Sequence, residues 1–141
     1  MLSVVLIVAA MVCMNSAIVF DGPCHVLPQP VNNNQRNNTV EIPDSCKTGT
    51  IAWDYPMGVL RVHLTQPGKS FNLCLVHSSL TGFDGLHVVT GGAYRKVPVP
   101  TEGNPTCTPS VKGEAAFLVD ASKLQMYMTY IDFSFAFNTV Q

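Results

Sequence analysis

Alternation of apolar and polar residues restricts the fold of this chain more than any other feature. Near the C-terminus a bulky apolar residue stands at every second position from 131 to 137, with Asp132, Ser134 and Ala136 between them. A period of two is that of a β-strand, whose successive side chains point to opposite faces. Four large apolar residues on one face predict a central strand that covers a hydrophobic core.

Shorter segments upstream share this period or a β-branched composition, and no ten residues after the apolar leader carry the 3.6 period of a helix. About seven or eight short strands in roughly 120 residues predict an all-β fold, a β-sandwich. Pro98 and Pro100 limit one strand to a sheet edge or a strand end, and 101–114 is expected to be a loop around Cys107. The other predicted strands lie at 60–65, 71–76, 86–90, 93–99 and 116–119.

The first residues predict a secretory signal peptide. From Leu2 to Met14 every residue except Ser3 is apolar, and small or polar residues follow. We expect cleavage after Ala17, which leaves residues 18–141 as one domain. The run is shorter than the ~20 residues of a membrane-spanning helix, so an uncleaved anchor is disfavoured and no span is expected after signal removal.

The cysteines predict disulfides. Cys13 leaves with the signal peptide, and the remaining four are separated by 22, 28 and 33 positions. An even number of cysteines in an exported chain favours two disulfides, with three possible connectivities. A zinc site is disfavoured because it usually needs closely spaced cysteine pairs. The four cysteines are Cys24, Cys46, Cys74 and Cys107.

Charge and motifs exclude several functions. The net charge is −1 with no basic run, which argues against nucleic acid as a partner. No nucleophile elbow, phosphate loop or dinucleotide fingerprint occurs, so we expect no enzyme and no cofactor. The histidines at 25, 63, 77 and 87 lack metal-ligand spacing, and positions 63 and 87 are expected to face solvent. Asp120 and Asp132 could line a calcium site, but solvated strand-end acids are the simpler interpretation.

A polar run at 32–38 is typical of an exposed loop and ends in the glycosylation sequon Asn37-Asn38-Thr39. In an exported chain we expect a glycan on Asn37. Downstream, the only tryptophan, Trp53, precedes Tyr55 and Pro56, with Gly58 completing a turn. A buried tryptophan beside a turn is favoured over an exposed anchor for a partner.

This segment carries a family resemblance. Residues 49–64, with Trp53, Tyr55, Pro56 and Gly58, resemble the meteorin pattern G-x-[IV]-x-W-x-Y-P-x-G-A-L-x-[LV]-x-L, and Cys46 stands where that family has a cysteine. The runs at 74–76, 113–121 and 131–135 are similar to later family segments and fall in the same order. The resemblance implies a CUB-like β-sandwich with Cys24–Cys46 and Cys74–Cys107 paired.

The chain departs from the family at Val59 and Ser122, where the pattern has Ala and Thr, and it stops before a second cysteine-rich half. The resemblance implies a secreted, non-enzymatic ligand of a cell-surface receptor. The alternatives are a venom toxin on the same domain that acts on neuronal receptors or channels, and a carbohydrate- or protein-binding module. Loops 80–85 and 101–112 are the expected contact surfaces, because loops on a rigid scaffold commonly bind partners.

Overall fold

The computed structural model describes residues 24–26, 37–54, 58–123 and 130–140. The predicted signal peptide, Tyr55 and Pro56 lie outside these ranges. Within the described part of the chain, no helix is long and apolar enough to cross a membrane. Ten strands are present there: β1 (His25–Val26), β2 (Asn37–Glu41), β3 (Thr48–Asp54), β4 (Val59–Thr65), β5 (Phe71–Ser78), β6 (Leu86–Thr90), β7 (Ala93–Lys96), β8 (Thr106–Pro109), β9 (Glu114–Asp120) and β10 (Tyr130–Thr139).

The strands form two five-stranded sheets. Sheet A has the order β1-β3-β10-β5-β8, and sheet B has the order β2-β4-β9-β6-β7. The edge pairs β1–β3 and β2–β4 are parallel, whereas the other pairs are antiparallel. Inward residues of both sheets, among them Ile51, Phe133, Leu60 and Phe117, belong to one buried cluster. The predicted all-β sandwich is therefore confirmed.

The predicted central strand over the core is β10. It lies in the middle of sheet A, paired with β3 on one side and β5 on the other. Ile131, Phe133, Phe135 and Phe137 are all buried, and the Phe137 ring packs edge-on against Phe71 with centroids 6.0 Å apart. Four apolar side chains at period two can all reach the core only in an extended segment.

Strand β4 shows the same principle in sheet B. Its side chains alternate between buried and partly exposed along the whole strand, with Leu60, Val62 and Leu64 facing inward. Trp53 at the end of β3 is only 3% exposed, so the prediction of a core tryptophan is confirmed. The outward residues of β4 include Arg61 and His63, which the regular alternation places on the outer face of sheet B.

Two disulfides are present, as predicted. One joins Cys24 to Cys46 and fastens the start of β1 to the chain that leads into β3. The other joins Cys74 of β5 to Cys107 of β8, which are directly opposed across the two strands with Cα atoms 4.0 Å apart. This pairing is the one that the family resemblance implied.

Two sequence-based loop predictions are wrong. Thr106–Pro109 form β8 and pair with β5, so 101–114 is not a continuous loop. Asn37 and Asn38 begin β2, which pairs with β4 in parallel, so the sequon at the end of the predicted loop 32–38 lies in an edge strand, whereas residues 32–36 lie outside the described ranges. The predicted strand 93–99 is confirmed as an edge strand of sheet B but already ends at Lys96. Short edge strands lack a long alternation, because only one neighbour and one end of the core constrain them.

Candidate functional site

The segment 101–112, one of the two expected to bind a partner, does not form a single loop. Loop 79–85 leads into β6, and the Asp120 N–H donates to the Gly85 carbonyl at 2.8 Å. Residues 101–104 form a tight turn before β8, whereas 110–113 follow β8 and lie beside the turn at 66–69. There the Gln66 N–H donates to the Gly113 carbonyl at 2.8 Å. The segment 101–112 therefore occupies both ends of β8.

The outer face of sheet B gathers functional side chains from strands that are distant in sequence. The register of the strands aligns one residue from each of the five strands in a row across the sheet. Outward residues of an antiparallel pair stand about 5 Å apart at Cβ, close enough to interact directly. The row, from one edge of the sheet to the other, is Glu41, His63, Ala116, Val89 and Tyr94.

His63 lies between two glutamates in this row. Its Nδ1 is 2.8 Å from Glu41 Oε2, and its Nε2 is 3.9 Å from Glu114 Oε2. An ionised carboxylate only accepts hydrogen bonds, so Nδ1–H is the donor to Glu41. Nε2 is shielded from solvent and has no hydrogen-bond partner. The side chain is 20% exposed, so the predicted solvent-facing position is occupied by a partly buried, partnered histidine.

A cleft of about 340 Å³ opens on the same face. Ala116, the smallest side chain of the row, lies at its floor and is 2% exposed. The two-residue turns at 91–92 and 112–113 stand along the margin of the cleft. The side chains that carry its chemistry are Arg61, His63, Val89, Val111, Lys112 and Glu114.

Loop 79–85 is tied to sheet B by a surface ion pair. Lys96 Nζ lies 2.9 Å from Asp84 Oδ2, with both side chains more than half exposed. This hydrogen bond and the positive charge of Lys96 lower the pKa of Asp84 below its ordinary value. The pair connects β7 to the loop that precedes β6, and it lies outside the cleft lining.

The two aspartates considered for calcium lie in different sheets. Asp120 ends β9 of sheet B and accepts hydrogen bonds from the Ser122 backbone N–H, at 3.0 Å, and from its hydroxyl. These bonds lower the pKa of Asp120. Asp132 stands in β10 of sheet A, so the structure does not bring the pair together. Among the described residues, no group of three or more histidine, cysteine or acidic side chains could hold a metal ion.

The remaining predicted site residues are separate from the cleft. Asn37 begins β2 and pairs with Val59, and Gly58 adopts a φ of 74° immediately before β4. His25 Nδ1 lies 2.5 Å from Thr50 Oγ1, which links the neighbouring strands β1 and β3. The described part of the meteorin-like motif thus contributes to the core and to a turn.

Sequence reasoning missed the cleft and its charged residues. Alternation along β4 does place Arg61 and His63 outward, and that signal was available. The glutamates that flank His63 come from β2 and β9, whose pairing with β4 is non-local. Only the register of the assembled sheet brings these groups together.

The fold defines a class, a disulfide-bonded all-β sandwich with a cleft on one outer face. Disulfides of this kind fit a protein of an oxidising, extracellular compartment. No family model and no curated protein matches the sequence. The chain is similar to a solved structure of the CUB1-EGF-CUB2 domains of rat MASP-1, with 13% identity and a TM-score of 0.46. The match covers 73% of this chain and 44% of that structure, so the chain spans less than half of its length.

Proposed function

We propose that the chain is a secreted, non-enzymatic, CUB-like protein of the meteorin type that acts as an extracellular ligand of a cell-surface receptor. The apolar leader, the two disulfides and the W-x-Y-P-x-G motif support this proposal. The outer face of sheet B is the proposed receptor-binding surface.

One observation carries the choice of this surface. Tyr94 is 58% exposed on the edge strand β7, and it stands directly across from Val89, which lines the cleft. Val111, 39% exposed, lines the same cleft. An exposed tyrosine and an arginine beside a recess, here Tyr94 and Arg61, are typical of the residues that contribute most to protein–protein binding. A protein partner uses such a surface well, because the aromatic ring and the recess can both be desolvated.

The side chains of the cleft suit the binding of a charged partner. The described residues that line it provide cationic, imidazole, carboxylate and aliphatic groups, and none is a serine, threonine or cysteine. All four described cysteines are held in disulfides. The charged side chains of the cleft suit electrostatic recognition, in which positioned charges select a partner.

The test is saturable binding of the fluorescently labelled, secreted protein to a panel of cell types from the source organism. We expect saturation on at least one cell type, and at least about tenfold weaker binding of Tyr94→Ala, as for an interface hot spot. His77→Ala, an exposed residue of β5 in sheet A, is the matched control and should bind normally.

Binding to no cell type would contradict the receptor-ligand proposal, and equal binding of Tyr94→Ala would contradict the choice of face. Recording membrane currents on the same cells distinguishes the toxin alternative from the receptor-ligand proposal. A change in current within minutes would favour a channel target, whereas binding without such a change favours a signalling receptor.

A further inference from the structure

The cleft on sheet B lies between two hairpin turns of the same kind. Residues 91 and 92 connect β6 to β7, and residues 112 and 113 connect Val111 to Glu114, which form an isolated bridge. Both central residues of each turn have positive φ, between 54° and 83°. This is the geometry of the type I′ turn, which normally selects asparagine, aspartate or glycine.

Lys112 is out of place in this turn. Its φ of 54° matches the 56° of Gly91 in the neighbouring turn, yet it is the one non-glycine residue with positive φ in the described part of the chain. A left-handed backbone is unfavourable for a residue with a long side chain, and such residues cluster at binding sites. The turn places Lys112 in the lining of the cleft.

The cations of the cleft carry no ion pair, whereas its acids are close to a partner. Glu41 accepts the hydrogen bond of His63, and Glu114 lies 3.9 Å from the same ring. In contrast, neither Arg61 nor Lys112 forms an ion pair with any described residue. Arg61 and Lys112 are therefore available to pair with a ligand, in a cleft whose lining also includes the carboxylate of Glu114.

Apolar groups accompany these cations. Val89 and Val111 line the cleft, and Ala116 leaves room at the floor. A guanidinium group binds a carboxylate with paired hydrogen bonds, most strongly where apolar neighbours exclude water. A cleft lined by two valines and two cations fits a short acidic and apolar peptide segment better than a sugar, which would leave its hydroxyl groups unpaired against the valines.

We propose that this cleft binds an acidic segment of the receptor protein, with Arg61 pairing a carboxylate and Lys112 providing a second cation. The identity of the partner as a receptor rests on the proposed function above, whereas the recognition of carboxylates by the cleft is independent of it.

The first test uses the ¹⁵N-labelled secreted protein and two synthetic peptides, acetyl-Leu-Glu-Tyr-Asp-Leu-amide and its uncharged counterpart acetyl-Leu-Gln-Tyr-Asn-Leu-amide. We expect the acidic peptide alone to shift the amide resonances of β4, β9 and the turn at 112–113. Arg61→Gln should weaken binding by about tenfold to a hundredfold, the range for a charge-assisted hydrogen bond. Arg95→Gln, an exposed arginine of β7 outside the cleft lining, should bind like the unmodified protein.

Two further variants separate binding from folding. Lys112→Asn places a residue that tolerates positive φ at this turn position. We therefore expect the midpoint of thermal unfolding of this variant to be equal or higher, while its affinity for the acidic peptide falls. Ala116→Leu fills the cleft without changing its charge, and it should weaken binding with circular dichroism unchanged. A folded Arg61→Gln protein with unchanged affinity, or equal binding of both peptides, would overturn the inference.

Cell binding distinguishes this inference from the proposed function. If the protein binds cells and Arg61→Gln binds them equally, the receptor function stands and the cleft inference fails. If the acidic peptide binds the cleft but the protein binds no cells, the cleft inference stands and the receptor function fails. Resonance shifts of the cleft with free sialic acid, but none with the acidic peptide, would overturn a protein segment as the occupant.

Discussion

At the scale of single residues, Gly49 shows how closely the strands approach one another. A Cβ added there would overlap the carbonyl oxygen of Cys24 and come within 2.6 Å of the Phe135 ring. One neighbour is backbone and the other is a core side chain, so neither can move freely. We expect Gly49→Ala to lower the free energy of unfolding by about 1–3 kcal/mol, as for an overpacked core, measured by urea denaturation.

Thr48→Ala is the control for this prediction, because Thr48 is the exposed neighbour in the same strand. Its effect should stay within about 0.5 kcal/mol, which is usual for a surface substitution. A Gly49→Ala protein as stable as Thr48→Ala would show that β1 does not approach β3 as closely as described.

Asp120 links stability to pH through its bonds to Ser122. Its pKa in the folded protein lies below the ordinary 3.8, since Ser122 stabilises the ionised carboxylate. The unfolded chain therefore binds the proton at a higher pH than the folded protein does. The contribution of ionised Asp120 to the free energy of unfolding is present above pH ~4, and it is lost as the pH falls through the pKa of Asp120 in the folded protein. Asp120→Asn should cost less than about 1 kcal/mol at pH 7, because water screens this partly exposed group.

Urea denaturation of Asp120→Asn and the unmodified protein at pH 7 and pH 2.5 measures this linkage. The difference between the two proteins should be present at pH 7 and smaller at pH 2.5. Ser122→Ala should show the same pattern, because it removes the hydroxyl donor to the same carboxylate. A difference that is equal at both pH values would contradict the assignment to ionised Asp120.

At the scale of elements, β8 depends on one neighbour and one disulfide. It has four residues, pairs only with β5, and carries Cys107 directly opposite Cys74. The double variant Cys74→Ala/Cys107→Ala should lose about 3 kcal/mol of stability in the chain-entropy model. Hydrogen exchange should accelerate most at the amides of β8 and least at those of β10, which is paired on both sides.

The matched comparison for β8 is Cys24→Ala/Cys46→Ala, which opens the other disulfide. Cys46 is buried in the core, so this variant should be destabilised at least as much, with faster exchange in β1 and β3 instead. Acceleration of β8 exchange in both variants to the same extent would contradict a local role for the Cys74–Cys107 bridge.

The elements that the sequence predicted best are those with long alternation. β4 and β10 carry three or four inward apolar residues each, and a one-residue shift of register would expose all of them. β8 and β2 were missed because a short edge strand has little alternation to recognise. Their existence depends on pairing with β5 and β4, which no local pattern reports.

At the scale of the whole molecule, the prediction is a secreted glycoprotein with two disulfides. The exported chain should begin near residue 18, contain no free thiols, and carry one N-linked glycan at Asn37. Intact-mass spectrometry before and after enzymatic removal of N-glycans measures all three properties. Four free thiols, or a mass that retains residues 1–17, would contradict the predicted processing.

Thr39→Ala is the control for the glycan. Thr39 is exposed in β2, and its hydroxyl completes the sequon. The variant should be secreted without the glycan and with an unchanged circular dichroism spectrum. A glycan that remains on Thr39→Ala would place the modification at a site other than Asn37.

The sequence by itself determined the class of fold. Apolar period two, the absence of a helical period and four cysteines after an apolar leader leave few alternatives to a disulfide-bonded β-sandwich, because inward residues must alternate along every well-formed strand. It also predicted the burial of Trp53 and the outward position of His63. The resemblance to meteorins added the pairing of the cysteines, which the residues alone left open.

Only the tertiary structure decided the candidate site. Glu41, His63 and Glu114 come from three different strands. Arg61 and Lys112 are about fifty residues apart in the sequence, and no local sequence pattern predicts that they are neighbours. Sheet register sets which of these side chains are neighbours, and register depends on packing of the complete core. The backbone of Lys112 is likewise left-handed because the turn joins two paired segments, and this constraint acts from outside the local sequence.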